Sequence, residues 1–194
     1  MRPGYVPMRL VLYLALLGLG SCTDEPAESP AVQQSVDGHL VNPFGWNEAD
    51  EQTDPFQDRR PSTWDCSPTA HFAEQLAGVW VYSIETGECD WLTITQPTAI
   101  ELNPGDRVVA NIWHFELVAP ERAMAYLGFA IHDRILVDAE EPIPGPARRI
   151  ELSFDVAERY PVGTPLLFHL NNHGANSWHI VEVLVNPENN EAEP

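Results

Sequence analysis

Residues 169–179 gather more chemistry than any other stretch of this 194-residue chain. They read His169-Leu170-Asn171-Asn172-His173-Gly174-Ala175-Asn176-Ser177-Trp178-His179, with three histidines, three asparagines and a tryptophan. Imidazole nitrogens ligate metals or carry protons, and amides give directional hydrogen bonds. An indole adds a flat apolar face. Three readings are open. In the first, the segment is structural: Asn171 and Asn172 bond nearby backbone, Gly174 takes a positive φ, and Trp178 turns into a core. In the second, it is a ligand rim. Trp113 or Trp178 stacks on a sugar or another planar apolar surface, and Asn171, Asn172 and Asn176 hold its polar groups. In the third, a strand through residues 107–118 pairs near the last strands. His114, Glu116, His169 and His179 then converge on zinc or a similar divalent metal. Their spacing matches no established metal motif.

Catalytic signatures are absent. The chain has no Gly-x-Ser-x-Gly elbow, no His-Glu-x-x-His helix, no phosphate loop and no dinucleotide fingerprint. Ser177 and His179 stand two apart on one strand with no nameable acid partner. Glu140, Glu141, Asp133 and Asp138 fall in polar turns and read as solvated surface. The expectation is a non-catalytic binding or structural module, for a carbohydrate or an envelope partner. The alternative is a metal-binding protein or metal-dependent enzyme built on the histidine set.

Short β-prone runs between Gly/Pro turns must position these groups. Residues 79–85 and 90–95 read as a first pair, followed by 99–102. Residues 107–118 are the longest candidate strand, with Trp113, Phe115 and Leu117 on one face. Residues 125–131 and 134–137 flank His132-Asp133. The proline-rich 140–146 stretch reads as irregular. In 149–156, Ile150, Leu152, Phe154 and Val156 alternate onto a buried side. Residues 165–170 and 177–185 read as a last hairpin, and 69–77 as a helical turn or two. The fold expected is all-β, an antiparallel β-sandwich (Ig-like or jelly-roll-like) of about eight strands. The turn Asn103-Pro104-Gly105-Asp106-Arg107-Val108, leading into an alternating strand, resembles turns in Ig-like, cupredoxin-like and carbohydrate-binding sandwiches.

The N-terminus carries an address. Arg2 and Arg9 precede a ten-residue apolar run, 10–19, which as a helix spans only ~15 Å, half a hydrocarbon core. Leu19-Gly20-Ser21-Cys22 follows and resembles the lipobox of bacterial lipoproteins. That resemblance implies removal of residues 1–21 as a signal peptide and acylation of Cys22. The partner is then a lipid bilayer in the bacterial cell envelope. The first acid beyond Cys22 is Asp24 rather than its immediate neighbour, which favours the outer over the inner membrane. Acylation leaves Cys66 and Cys89. In an oxidising compartment a disulfide is expected, with a two-thiol metal site or free thiols as alternatives. With both thiols bridged and Met124 out of context, a type 1 copper site lacks its ligands.

All 10 basic residues are arginines, against 29 acids. Without residues 1–21, eight arginines face those 29 acids, a net charge of −21. Such a chain is unsuited to nucleic acid, whose phosphates demand cationic contacts. It has no electrostatic grip on anionic lipid either. Residues 22–63, rich in Pro, Asp, Glu and Gln, read as a disordered acidic tether. Within them the apolar cluster 40–46 either packs on the domain or serves as a recognition peptide. Residues 64–186 read as the β-sandwich domain and 187–194 as an acidic tail.

Overall fold

A computed structural model describes residues 38–186. The leader 1–21, Cys22 with the rest of 22–37, and the 187–194 tail lie outside the described residues. The domain is all-β. Its strands are β1 (Asn47–Glu48), β2 (His71–Leu76), β3 (Val79–Glu85), β4 (Trp91–Pro97), β5 (Arg107–His114), β6 (Ala123–Ile131), β7 (Arg134–Ile143), β8 (Arg148–Asp155), β9 (Pro165–Asn171) and β10 (Ser177–Val185). They form two antiparallel five-stranded sheets, a first of order β2-β3-β10-β5-β8 and a second of order β1-β4-β9-β6-β7. No helix among the described residues is long and apolar enough to cross a membrane.

Period-two alternation builds the core. Val108, Ala110 and Ile112 of β5 point inward, with Ile150, Leu152 and Phe154 of β8 beside them. On the facing sheet the core is filled by Ala125, Leu127, Phe129 and Ile131 of β6 and by Leu166, Phe168 and Leu170 of β9. In β10 a bulge falls between Ile180 and Glu182. The extra residue reverses the alternation, so Trp178, Ile180 and Val183 all reach the core. His179 and Val183 therefore do not share a face, contrary to uninterrupted alternation.

Both expected hairpins are corrected. β3 and β4 belong to different sheets, and so do β9 and β10. Each short connection crosses the sandwich instead of turning within a sheet. The two crossings lie together and are tied by side chains. Thr86 Oγ1 donates to the Gly174 carbonyl (2.7 Å) and accepts from Asn172 Nδ2 (2.7 Å) and the Asn176 N–H (3.0 Å). Trp178 Nε1 donates to Asn172 Oδ1 (3.1 Å), and the Val118 N–H donates to Asn176 Oδ1 (2.6 Å). The Asn-rich segment is thus a structural crossing. The Cys66–Cys89 disulfide closes the same region from the β3–β4 side.

Three other readings change. Residues 71–76, expected within a helical turn, are edge strand β2, because every residue pairs with β3 and tertiary pairing overrides local propensity. Residues 140–143, expected to be irregular, extend β7. That strand has one neighbour, and an edge tolerates Pro142 where a central strand would not. Residues 99–102 provide only a bridge, between Leu102 and Tyr160. Residues 38–63 are also packed rather than tether-like. Leu40 enters the core, and its backbone bonds Val183 on one sheet and Ala99 beyond the other. Trp46 packs on Tyr82 at 6.3 Å, and Phe56 is buried on the second sheet. Averaged composition hid Phe56, which stands alone beside a proline and acids. The 40–46 cluster takes its packing role.

Gly174 is the tightest point of the crossing. Its φ is +101°, and a Cβ there would lie 2.1 Å from the Val118 carbonyl oxygen. Gly174→Ala is expected to cost about 3 kcal/mol or more, from left-handed strain plus overlap with backbone that cannot yield. Urea unfolding of the variant checks this, and a loss below about 1 kcal/mol would contradict it.

Candidate functional site

The four proposed metal ligands do not converge. His114 points into the core, its ring 4.6 Å from that of Trp178, with Nδ1 2.7 Å from the Phe115 carbonyl. Glu116 is exposed beyond the end of β5. His179 lies on the outer side of the first sheet and His169 on the outer side of the second. The sheets of a sandwich are about 10 Å apart, so these two rings occupy opposite sides of the molecule. Among the described residues no group of three or more His, Cys, Asp or Glu side chains is placed to hold a metal ion.

The proposed rim residues separate as well. Trp178 is core, Asn172 and Asn176 are buried in the crossing, and Asn171 ends β9 half-buried beside Trp91 and Tyr126. Only Trp113 among them faces outward with freedom to meet a ligand. It is one member of a row set by strand register: Phe72 on β2, Ser83 on β3, His179 on β10, Trp113 on β5 and Arg149 on β8 are successive cross-strand partners. At about 4.8 Å between strands the row spans about 19 Å. Phe72 is 39% exposed and Phe115, one alternation beyond Trp113, is 50% exposed. Trp113 and Phe115 meet edge to face at 6.4 Å, and Phe115 meets His179 likewise at 5.3 Å.

Polar groups hold this face rigid. Ser83 Oγ donates to Glu74 Oε1 (2.5 Å), so its remaining contact, His179 Nδ1 at 2.8 Å, is the donor to it. His179 is therefore the Nδ1–H tautomer, with Nε2 buried and unpartnered among the described residues. This order, carboxylate to serine to histidine, is not a nucleophilic triad, in which the histidine stands between serine and acid. Arg149 Nε donates to Asn111 Oδ1 (2.8 Å), and Asn111 Nδ2 donates to Glu182 Oε1 (2.7 Å). Ser177 Oγ donates to Glu85 Oε2 (2.7 Å). The result is a face whose exposed rings, Phe72 and Phe115, flank a polar middle in which Ser83, His179 and Asn111 are buried.

Sequence reasoning found Trp113 and missed Phe72, Asn111, Arg149 and Glu182. Alternation along 107–115 does contain the signal, since Val109, Asn111, Trp113 and Phe115 oppose the inward apolar set. Phe72 was hidden by the helical reading of its strand.

The second sheet's outer side is closed. Residues 49–60 cross it, and Phe56 stacks on His169 at 4.5 Å with Trp91 at 4.3 Å from the same ring. Thr93 Oγ1 donates to Asp54 Oδ2 (3.0 Å) and contacts His169 Nδ1 (2.8 Å). Arg59 lies over the Tyr126 ring at 4.0 Å. Beside this roof is a cleft of about 560 Å³, floored by Pro97, Pro165 and Leu167 and edged by Gln52, His132 and Asp133. No aromatic ring other than the exposed imidazole of His132 lines it.

No protein-family model and no curated protein matches this chain. Among solved structures it is similar to a family 61 carbohydrate-binding module in complex with β-1,4-galactotriose, with 11% identity, TM-score 0.44, and 76% of this chain and 97% of that one covered. It is similar also to a family 27 module described for mannan recognition, with 10% identity, TM-score 0.41, and 72% and 96% covered. A third is the xylan-binding domain of a Paenibacillus barcinonensis xylanase, with 16% identity, TM-score 0.37, and 78% and 97% covered. The likeness is one of fold, the two-sheet antiparallel sandwich.

Burial, with Arg59 next in effect, pushes His169 from 6.5 down to about 3. The folded domain thus prefers the neutral ring, and protons bind more readily to the unfolded chain. The stability from this group is complete above about pH 6.5 and is lost as pH falls towards 3, at about 1.4 kcal/mol per unit. Burial lowers His179 in the same direction against the raising influence of Glu74 and Glu85. The melting temperature is expected to fall between about pH 6.5 and pH 4, less steeply in His169→Gln. Equal slopes in variant and wild type would assign the acid sensitivity elsewhere.

Proposed function

We propose that this chain is a non-catalytic glycan-binding module, held at a bacterial cell envelope, on the outer membrane, by lipid on Cys22. The observation that carries the binding role is the five-strand row from Phe72 to Arg149, with Phe115 beside it. Sugars present apolar C–H faces and rims of hydroxyls. Exposed aromatic rings match the former, and the Arg149 guanidinium and the Glu182 carboxylate, linked through the buried Asn111, match the latter as donor and acceptor. A row about 19 Å long suits an extended polymer rather than an enclosed small molecule. The acid-rich surroundings, Glu74, Glu85, Glu151 and Glu182 against Arg149, favour a neutral glycan over a polyanionic one. The metal-dependent alternative lacks a converging ligand set among the described residues.

Affinity electrophoresis through gels containing neutral polysaccharides, and pelleting with peptidoglycan, test this reading. Trp113→Ala is expected to weaken retention about tenfold, equivalent to about 1.4 kcal/mol, with Phe72→Ala in the same direction. Both sites are surface-facing, so the melting temperature should hardly change. Retention indifferent to both substitutions would overturn the assignment of the face. Trp178→Ala does not serve as a probe, because that ring is core and its loss would unfold the domain. For the anchor, mass spectrometry of the native protein should find residues 1–21 absent and Cys22 acylated. An unmodified Cys22 would refute it.

A further inference from the structure

An apolar edge lies at the start of β3, beyond the aromatic row of the glycan face. Phe44 is 60% exposed and Trp80 is 45% exposed, their rings edge to face at 4.7 Å, with Val79 exposed beside them. Trp80 has the inward alternation of Tyr82 and Ile84 but sits past the end of the core. Phe44 stacks on it, and a groove of about 220 Å³ runs from Val79 and Trp80 to Ile180 and Glu182. Contiguous exposed apolar surface is a feature of contact sites.

The chain enters the domain at this edge. The Gly38 carbonyl accepts from the Val185 N–H, and His39, which bridges to Leu184, lines the same groove. Fifteen residues, 23–37, separate Gly38 from Cys22. They cannot reach further than about 54 Å when fully extended. We infer that Phe44, Val79 and Trp80 form the surface by which the domain rests on a lipid bilayer, an inference that rests on the lipid-anchor reading of Cys22.

The chemistry fits an interface. Tryptophan and phenylalanine at a boundary place apolar rings among acyl chains while the indole N–H stays with the headgroups. No arginine lines the groove, and the strongly acidic chain gains nothing from anionic lipid. The contact is therefore apolar and weak in isolation, and the tether makes it effective by keeping the local concentration high. In this arrangement the anchor and the apolar edge form one attachment with two points. Glu182, which ends the Asn111–Arg149 chain, also lines this groove, so the apolar edge adjoins one end of the glycan face.

The test separates the edge from the anchor. With Cys66 and Cys89 bridged, Cys22 is the single free thiol of chain 22–194. It can be coupled to a maleimide-headgroup lipid in phosphatidylcholine vesicles, without any cellular acylation. Brominated phosphatidylcholine should then quench tryptophan emission, and Trp80→Phe should reduce that quenching by about half or more. Trp64→Phe, which removes an exposed indole elsewhere, should leave most of it. Equal quenching in wild type and Trp80→Phe, or none in either, would overturn the inference. Self-association in sedimentation that is lost in Trp80→Phe would also overturn it, by assigning the edge to a second copy. An unmodified Cys22 in the native protein would instead refute the anchor and leave the vesicle result standing.

Discussion

The sandwich depends on two crossings made at one place. The chain passes between sheets at Thr86–Asp90 and again at Asn172–Asn176, and a single hydroxyl, Thr86 Oγ1, ties the second passage to the first. Backbone that leaves a sheet loses its ladder partners, and buried amide and carbonyl groups without partners are costly. Here they are replaced locally: the Thr86 N–H donates to the Asn176 carbonyl and the Asn172 N–H to that of Asp90. Asn172 then fixes the indole of Trp178, whose ring begins the core. One hydrogen-bonded unit thus sets sheet membership, strand register and the inward face of β10 together.

The register of the first sheet follows from that unit. Because β10 is central, its partners β3 and β5 are aligned against it, and β2 and β8 against them. Phe72, His179, Trp113 and Arg149 are distant in sequence but become neighbours by position in the ladder. The Glu74–Ser83–His179 chain then prevents the middle of the row from rotating. Binding surfaces gain from such preorganisation, since little side-chain freedom remains to be lost on contact.

Strand existence was largely legible in the sequence, and strand partnership was not. The run at 149–156 alternates clearly, and those at 79–85 and 177–185 are β-prone between turns, so their place in an all-β fold could be read directly. A short Gly-containing link between two strands, however, looks the same whether it turns within a sheet or crosses to the other. The difference lies in side-chain hydrogen bonds such as Thr86 to Asn172, which connect residues 86 positions apart. The proposed binding face was hidden in the same way. Trp113 was visible as an aromatic in an alternating strand, but Arg149 and Phe72 join it only through pairings with no local signature. Phe56 was obscured because an isolated apolar residue barely changes a proline- and acid-rich average, whereas the contiguous 40–46 cluster stood out and does pack.

The residue 49–60 segment gives the domain a handedness of use. By laying Phe56 against His169, it covers one sheet on its outer side, whereas the other sheet exposes Phe72 and Phe115 on its own. A symmetrical sandwich would offer two equivalent sides and could bridge two polymer chains. This one covers one side with residues 49–60, so under the proposed glycan-binding reading it would engage one polymer chain at a time.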